Sequence, residues 1–406
     1  MLPVAEAQAI ILRHTALLPA VRLPLTTTAL GLVLAEDVAS DLDMPPYDKS
    51  MMDGYAVRCA DLPTGQGGLQ VIEEVTAGRT PTLEVGPGQA TRIMTGAPVP
   101  VGADAVIPVE RTHLLDGGQV RIDDRPPTPG KNILPQGREM RRGDSVLSAG
   151  TRLGPAAFGI LATVGRTEAL LQPRPGVAIL STGDEVVEAG QTPGPGQIRN
   201  SNGPMLAAQV ARAGGEPRAL GIGRDRVEDL RRLITEGLRE PVLILSGGVS
   251  AGKLDLVPGV LQELGVQAHF HKVEMKPGKP MFFGTVATGP RPTATLVFGL
   301  PGNPVSSLVC FELFVRPALR RLQGREPGPR FVALPLAEDF PYSTDRPTYY
   351  PARLEPGSVG WSVRPLPWFG SADLRALAPA NALVLFPAGE HQHRAGERFP
   401  VLRTGG

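Results

Sequence analysis

Cysteine is almost absent from the 406-residue chain, which contains only Cys59 and Cys310. Two distant cysteines without a C-x-x-C spacing exclude a disulfide scaffold and a thiolate zinc site. The chain also lacks a run of 18 apolar residues, so the sequence predicts no membrane-spanning helix. It does not open with a basic segment followed by an apolar core, and no secretion signal is predicted. We therefore expect a cytoplasmic protein.

An excess of charge is missing as well. Lys and Arg number 41 against 40 Asp and Glu, which gives a net charge of +1. This balance disfavours nucleic-acid and membrane-surface binding, which usually accompany a basic excess. Lysine itself is scarce, yet four of the six lysines (Lys253, Lys272, Lys276 and Lys279) fall within 27 residues. Lysine retained against an arginine background indicates positions where a compact charge is needed.

Glycine and proline are abundant instead, with 49 and 43 residues, roughly double their ordinary usage. There is no G-X-Y period, so a collagen helix is excluded. The surplus indicates either flexible linkers or many short, tightly turned elements. Apolar residues make up 42% of the chain, which favours the second interpretation because it is enough for packed cores.

The order of apolar patterns along the chain predicts a multidomain α/β protein. A β-rich domain inserts into a helical N-terminal domain, a doubly wound α/β domain follows, and a small β-barrel-like domain ends the chain. The predicted bounds are 1–43 plus 141–175 for the helical domain, 44–140 for the insertion, 176–326 for the α/β domain and 327–406 for the last domain.

The α/β domain is predicted from alternating strand and helix patterns. Strand-like runs at 177–180, 219–222, 242–245 and 296–298 each precede a helical pattern, at 202–213, 227–239, 254–264 and 305–322 respectively. Such alternation with continuous apolar strands predicts a parallel sheet with helices on both faces. Asn202 is the expected N-cap of the first helix, with Pro204 in its first turn.

Ligands of doubly wound sheets bind outside the carboxyl ends of the strands, and this sequence places polar loops there. Gly-rich turns before helices suit phosphate or another oxyanion. Carboxylates in these loops suit Mg²⁺ with ligand phosphates, and the lysines at 276 and 279 add positive charge. The predicted acidic group is Asp184, Glu185, Asp225 and Asp255.

Each of these features is also common without a function. A Gly-rich turn is often only a tight connection, and carboxylates often lie in first helical turns. Their joint occurrence in five loops at one predicted edge favours a site for a metal-bridged phosphate. No G-x-G-x-x-G follows a strand and no G-x-x-x-x-G-K-[ST] occurs, which disfavours a dinucleotide-binding fold and a Walker NTPase. In the β-rich insertion, residues 48–56 and 94–98 fit either a functional loop or a polar turn.

Six motifs in fixed order carry a resemblance to a known family. They are MMDGYA (51–56), MTGAPVP (94–100), STGDE (181–185), SGGVS (246–250), KPGKP (276–280) and GLPGNP (299–304). Over nearly its whole length the chain resembles the molybdopterin molybdenumtransferases, the bacterial MoeA proteins and the gephyrin C-terminal domain. The resemblance implies a four-domain homodimer that converts adenylylated molybdopterin and molybdate into molybdenum cofactor and AMP with Mg²⁺. It also implies contacts with the molybdopterin adenylyltransferase and with molybdoenzyme apoproteins.

The resemblance assigns roles residue by residue. Asp184, Glu185, Asp225 and Asp255 are implied as catalytic groups and metal ligands, and Lys276 and Lys279 as the molybdate site, to which Ser250 contributes. Asp53 and Thr95 are implied to act at the active site from the other subunit. The remaining implied substrate-binding residues are Ser181, Thr182, Gly183, Gly247, Gly248, Pro280, Pro301, Arg346 and Ser371.

Two other functions are compatible with parts of the sequence. A non-catalytic molybdopterin or nucleotide carrier, or a scaffold, would not need the full set of carboxylates and lysines. A nucleotide pyrophosphatase built on the same α/β domain would not explain the MMDGYA motif or the C-terminal domain. The transferase is therefore the favoured interpretation.

Overall fold

A computed structural model describes residues 1–248, 256–289, 292–328, 331–357 and 360–404. No helix in these ranges is long and apolar enough to cross a membrane. The α-helices are α1 (Val4–Arg13), α2 (Pro155–Thr163), α3 (Asn202–Arg212), α4 (Val227–Gly237), α5 (Val257–Glu263), α6 (Pro304–Cys310) and α7 (Arg316–Leu322). A π-helical segment, Phe311–Val315, joins α6 to α7, and short 3-10 turns occupy Thr27–Ala29, Cys59–Asp61, Val109–Arg111 and Leu374–Leu377.

The strands follow one another in three groups along the chain. The first group is β1 (Val21–Pro24), β2 (Val33–Leu34), β3 (Val38–Ala39), β4 (Lys49–Ser50), β5 (Gly54–Val57), β6 (Gln66–Val75), β7 (Gln89–Ile93), β8 (Ala105–Pro108), β9 (Thr112–Leu115), β10 (Gln119–Asp123), β11 (Ile133–Leu134), β12 (Ser145–Leu147) and β13 (Glu168–Gln172). The second is β14 (Gly176–Thr182), β15 (Val186–Val187), β16 (Ile198–Arg199), β17 (Glu216–Gly223), β18 (Val242–Ser246), β19 (Gln267–Lys272), β20 (Pro280–Val286) and β21 (Thr295–Leu300). The third is β22 (Phe331–Pro335), β23 (Phe340–Thr344), β24 (Thr348–Gly357), β25 (Gly360–Pro365), β26 (Ala382–Phe386), β27 (Gly389–His393) and β28 (Arg398–Arg403).

The chain folds into two compact units. One contains residues 1–23, 31–35 and 170–406, and the other contains residues 24–30 and 36–169. The finer division into four domains stays a prediction.

A six-stranded sheet organises the first unit, in the order β17-β14-β18-β21-β20-β19. The four neighbouring strands β17, β14, β18 and β21 run parallel. Alternate side chains along β14 enter different cores, with Val177 and Ile179 in one and Ala178 and Leu180 in the other. The first core includes residues of α1, α3 and α6, and the second includes residues of α4 and α5. The predicted helix-covered α/β sheet is therefore present, because both faces of its central strands are buried.

The expectation of a wholly parallel sheet is wrong at one edge. Strand β20 runs antiparallel to β21, and β19 runs antiparallel to β20. The two strands form a hairpin, which adds an antiparallel edge to an otherwise parallel sheet, as is common in large α/β sheets.

The expected helical character of the N-terminal segments is also only partly correct. The helical domain predicted over residues 141–175 contains a strand as well, because α2 ends at Thr163 and β13 begins at Glu168. Strand β13 pairs with β2, where Leu171 lies opposite Leu34. Apolar runs of this length do not distinguish a helix from a buried strand, and tertiary pairing decides the outcome.

The C-terminal part of the first unit is a β structure, with seven strands in the described residues. Five form a sheet in the order β22-β28-β26-β24-β25, and β23 pairs with β27. An isolated bridge between Leu336 and Val363 connects the two edges of the five-stranded sheet. Its core includes Tyr350, Val384 and Phe386.

The second unit is built around another six-stranded sheet, in the order β8-β5-β7-β6-β10-β9. One face of this sheet buries Tyr55, Ile107, Val120 and Ile122. The β-rich character predicted for residues 44–140 is therefore present, and the MMDGYA motif runs from an exposed loop into β5.

Candidate active site

The ends of the parallel strands lie at one edge of the first unit's sheet. Ser181 at the end of β14 is in register with Ser246 at the end of β18, and Ser246 is in register with Leu300 at the end of β21. Thr182 is likewise in register with Gly223 at the end of β17. The polar loops that follow these residues therefore emerge side by side, as the sequence predicted.

The lysine loop reaches the same edge through the hairpin. Phe282, close to the start of β20, pairs with Gly299, close to the end of β21. Residues 273–279, which connect β19 to β20, therefore lie beside the loop that follows β21. This placement depends on the antiparallel direction of β20, because the connection to a parallel neighbour would enter at the opposite edge.

A cavity of about 500 Å³, here called the amide cavity, opens between the loops after β14, β18 and β21. The predicted site residues Ser181, Thr182 and Gly247 line it together with Glu185 and Asn202. The other lining residues are Val186, Ile198, Arg199, Asn200, Ser201, Ser246, Gly302, Asn303, Pro304 and Ala372.

Asn202 organises the floor of the amide cavity and does not cap α3. The helix begins at Asn202, and the Gly203 N–H in its first turn donates to Asn200 Oδ1 at 2.9 Å. The Asn202 amide instead donates to Ser246 Oγ at 2.8 Å and to the Gly302 carbonyl at 2.7 Å. In the part of the chain that the structure describes, Asn202 Oδ1 and Thr182 Oγ1 are buried without a hydrogen-bond partner. Buried polar atoms normally have partners, so these two oxygens are candidate contacts for a ligand.

A second cavity, of about 620 Å³ and here called the lysine cavity, lies between the lysine loop and the C-terminal strands. It is lined by Lys276, Lys279 and Arg346, and no Asp or Glu is among its described lining residues. The other lining residues are Met275, Pro277, Gly278, Pro280, Pro301, Asn303, Ser306, Tyr342, Tyr350, Trp368, Phe369, Gly370 and Ser371. The structure therefore gathers Pro280, Pro301, Arg346 and Ser371 around the two lysines, which is an arrangement that suits an oxyanion.

Backbone hydrogen bonds hold the lysine cavity together. The Lys276 N–H donates to the Pro347 carbonyl at 2.9 Å, and the Tyr349 N–H donates to the Lys276 carbonyl at 2.8 Å. Arg346 forms an ion pair with Asp345 at 3.0 Å, which partly offsets its charge. Lys276 and Lys279 form no ion pair within the described residues, and Asp345 acts on Lys276 only at longer range, so the two lysines are the stronger anion-binding groups.

Asn303 lines both cavities, although it was not among the site residues predicted from the sequence. Its side-chain amide donates to Ser371 Oγ at 2.8 Å. The Val305 N–H donates to the Ser371 carbonyl at 3.0 Å, so the Ser371 loop is attached to the end of β21 at two points. Asn303 could have been predicted as a site residue, because it is an amide residue in the GLPGNP motif, in the loop after a buried strand.

We expect Asn303→Ala to weaken binding of a tetrahedral oxyanion in the lysine cavity about five- to tenfold, because one hydrogen bond that positions Ser371 is lost. Equilibrium dialysis against the oxyanion measures this effect. Ser371→Ala is the matched variant, and combining both changes should add little because they remove the same hydrogen bond. Fully additive effects would show that the two side chains act separately.

Two of the predicted carboxylate residues, Asp184 and Asp225, are joined by a hydrogen bond between their loops. The Asp225 N–H donates to Asp184 Oδ1 at 3.2 Å. The Arg224 guanidinium donates to the carbonyls of Gly183, Asp184 and Val186 at 3.4, 3.2 and 2.9 Å, which fixes the shape of the loop after β14. Both carboxylates are exposed.

The complete predicted metal group is not gathered in the described residues. Glu185 lines the amide cavity, and no three His, Cys, Asp or Glu side chains in the described ranges are close enough to hold a metal ion. Asp255 and Ser250 lie outside the described residues. Asp184 and Asp225 still fit Mg²⁺, which commonly takes one or two carboxylates together with ligand phosphates.

Glycine is required in two of these loops. Gly183 has φ +135°, and a Cβ there would lie 2.4 Å from Glu185 Oε2. Gly247 has φ +91°, and a Cβ there would lie 2.7 Å from the Thr182 carbonyl oxygen. Any larger residue would displace the loops that line the amide cavity. Gly248 follows with φ +59°.

Asp53 and Thr95 interact within the second unit. The Thr95 N–H and hydroxyl both donate to Asp53 Oδ1 at 2.7 Å. Both donors hold the pKa of Asp53 below its usual value, because they stabilise the carboxylate; the backbone N–H has the larger effect and the hydroxyl the smaller one. Their predicted action on the reaction stays a prediction.

We expect Thr95→Val to raise the pKa of Asp53 only part of the way to its usual value, because the backbone donor remains. A carboxyl ¹³C NMR titration measures the change. Since the folded pKa is lowered, the contact stabilises the fold above the unfolded pKa and is lost as the pH falls through the folded pKa. In the control Thr112→Val, whose hydroxyl donates to the Val109 carbonyl, the pKa of Asp53 should not move. An unchanged Asp53 titration in Thr95→Val would contradict the role of the hydroxyl.

Comparisons with known proteins cover nearly the whole chain. Three family profiles match it: the MoeA N-terminal region (domain I and II) at residues 2–165, a probable molybdopterin binding domain at 178–321, and the MoeA C-terminal region (domain IV) at 333–403. A protein named molybdopterin molybdenumtransferase from Staphylococcus aureus is 34% identical and covers 99% of this chain and 96% of the relative.

A second protein of that name, from Nostoc sp., is 39% identical and covers 92% of this chain and 86% of the relative. The crystal structure of a molybdopterin biosynthesis MoeA protein from Pyrococcus horikosii is similar with a TM-score of 0.84 and 31% identity, over 100% of both chains. The multidomain α/β fold predicted from the sequence is confirmed by this similarity.

Proposed function

The chain belongs to the molybdopterin molybdenumtransferase family, and on that premise we propose that it inserts molybdate into adenylylated molybdopterin with release of AMP. The observation that carries the proposal is the pair of adjoining cavities at the carboxyl edge of one sheet. The lysine cavity presents cations to an oxyanion, and the amide cavity presents unpartnered oxygens to a polar ligand. Asn303 borders both, so the two ligands would meet there.

In this proposal the lysine cavity binds molybdate. Lys276 and Lys279 attract the dianion, and Ser371, held by Asn303, offers its hydroxyl as a further donor. Fixed cationic donors stabilise developing negative charge without reorganisation during the reaction. Pro280 and Pro301 fix the backbone on the two sides of the cavity, which limits its geometry.

The amide cavity holds the adenylyl part of the substrate. Thr182 Oγ1 and Asn202 Oδ1 accept hydrogen bonds from the ligand, and the Gly247 backbone allows a close approach. The predicted contacts of Ser181, Gly183 and Gly248 belong to the same proposal.

Asp184 and Asp225 would hold Mg²⁺, and Glu185 and Asp255 are proposed to contribute. When bound, the ion supplies Lewis-acid polarisation of the phosphoanhydride that is broken when AMP leaves. Arg224 keeps the Asp184 loop in position through its three carbonyl contacts. These residues lie at the same sheet edge as the amide cavity, which supports their action on its ligand.

The rest of the proposal follows the family resemblance. The protein is proposed to act in the cytoplasm as a homodimer, with Asp53 and Thr95 taking part in the reaction. It would receive its substrate from the molybdopterin adenylyltransferase and deliver its product to molybdoenzyme apoproteins. Ser250 completes the proposed set of residues at the molybdate site.

The test is a reaction of the purified full chain with adenylylated molybdopterin, Mg²⁺ and molybdate. Molybdenum cofactor and AMP formed in equal amounts, and only with molybdate present, are the expected products. AMP without molybdenum insertion would indicate a pyrophosphatase, and binding without turnover would indicate a carrier. Either result would overturn the proposal. Omission of Mg²⁺ followed by its return tests the metal separately.

A further inference from the structure

The size of the lysine cavity exceeds what an oxyanion needs. Its volume of about 620 Å³ lies in the range of sites for drug-sized organic ligands. Tetrahedral molybdate, with one metal atom and four oxygens, would occupy only a small part of it. The cavity therefore has room for a second group beside the anion.

Aromatic side chains line the wall of the lysine cavity on the side of the C-terminal strands. Tyr342, Tyr350 and Trp368 pack on one another, with ring centroids 5.2 Å apart for the two tyrosines and 5.1 Å apart for Tyr350 and Trp368. Tyr350 is buried in the C-terminal core. These three rings are therefore largely used in packing.

Phe369 differs from the other three aromatic residues. Its side chain is 88% exposed, and no ring in the described part of the chain packs against it. A phenylalanine this exposed loses the burial that normally stabilises it. Because Phe369 lines the lysine cavity, its exposed ring is accessible to a ligand bound there.

The backbone at Phe369 is held firmly. The Phe369 N–H donates to Asp373 Oδ2 at 3.2 Å, and the Asp373 N–H donates to the Gly370 carbonyl at 3.0 Å. Ser371, two residues along, is held by Asn303 and Val305. Because the turn is fixed on both sides, the exposure of Phe369 is a property of the fold. The backbone that carries the ring is already ordered, so binding has to fix only the side-chain torsions of Phe369.

We propose that Phe369 is a stacking platform for the planar heterocycle of the substrate, a pterin ring, at the rim of the lysine cavity. The lysines and Arg346 hold the anion, and the face of Phe369 holds the flat ring beside it. An aromatic face suits any flat heterocycle, and the proposed function, on which this inference rests, selects the pterin. Stacking would keep the ring, and with it the reacting group of the substrate, next to the anion.

A single-tryptophan variant tests the proposal by equilibrium binding. The chain has two tryptophans, and Trp361 lies in the β24–β25 hairpin and does not line the cavity. Trp361→Phe therefore leaves Trp368 as the only reporter. The probe is pterin-6-carboxylate, which absorbs where tryptophan emits and should quench Trp368 in a saturable way.

In this background we expect Phe369→Leu to weaken binding of pterin-6-carboxylate about tenfold, because stacking is lost while apolar volume remains. Phe369→Tyr is the matched control and should keep the affinity within about twofold because the ring face is retained. Molybdate binding, measured with the same variants by equilibrium dialysis, should not change.

Equal pterin affinity in Phe369→Leu and in the parent would overturn the inference. A change of molecular mass in Phe369→Leu, seen by sedimentation, would also overturn it and would assign the ring to a contact between copies of the chain. The proposed function fails on a different result, namely the absence of molybdate-dependent product in the turnover assay. If that product is absent but pterin binding still depends on Phe369, the inference about Phe369 remains valid.

Discussion

Asp184→Asn is expected to lower the rate of cofactor formation about 10²- to 10³-fold, the loss typical of removing one electrostatic contact made in the transition state. The substitution keeps the shape of the side chain, and the Asn oxygen can still accept the hydrogen bond from the Asp225 N–H. The loop after β14 therefore keeps its contact, and only the negative charge is lost. Turnover of adenylylated molybdopterin at saturating molybdate measures the effect.

The dependence on Mg²⁺ gives a sharper readout than the rate alone. If Asp184 holds the ion, the variant should need a higher Mg²⁺ concentration, while its unfolding midpoint in urea stays unchanged because the side chain is exposed. Glu390→Gln is a matched control, since it removes an exposed carboxylate elsewhere in the same unit. A variant with wild-type turnover and wild-type Mg²⁺ dependence would remove Asp184 from the metal site.

The common edge of the loops was predictable because it depends on patterns that are local in the sequence. Short apolar runs locate strands, and the carboxyl ends of parallel strands must share an edge. Ser181, Ser246 and Leu300 are in register as that rule requires. The family resemblance drawn from six motifs is confirmed by the three matching profiles.

The lysine loop was predicted at the correct edge, but the antiparallel strand β20 that follows it was not predicted. Periodicity and apolar content do not report whether a buried strand runs parallel or antiparallel, so the β19–β20 hairpin was not predicted. In the structure the antiparallel direction is the reason that Lys276 and Lys279 lie beside the end of β21.

Asn202 and Asn303 show more clearly which side-chain contacts could not be predicted from the sequence. An asparagine before a helical pattern locally predicts an N-cap. The partners of the Asn202 side chain are 44 and 100 residues away in the sequence. Asn303 reaches Ser371 across 68 residues. Contacts between residues so far apart in the sequence depend on tertiary packing. Local sequence patterns therefore do not predict them.

Removing both lysines is expected to raise the molybdate concentration for half-maximal turnover at least about 100-fold, since each charged hydrogen bond contributes about 1.5–3 kcal/mol and both are lost in Lys276→Ala/Lys279→Ala. We expect a smaller decrease in turnover at saturating molybdate, because the amide cavity and the carboxylates are unchanged. Kinetics at varied molybdate, with the pterin substrate saturating, separates the two parameters.

The control is Lys272→Ala, which removes an exposed lysine at the end of β19 that does not line the lysine cavity. It should leave the molybdate requirement at the wild-type value. Lys279→Arg adds a test of geometry, because a planar guanidinium replaces a compact ammonium while the charge stays. If only charge mattered, Arg would restore the wild-type requirement. We expect incomplete recovery, because lysine is retained here in a chain that otherwise uses arginine. A double alanine variant with an unchanged molybdate requirement would move the anion site away from these lysines.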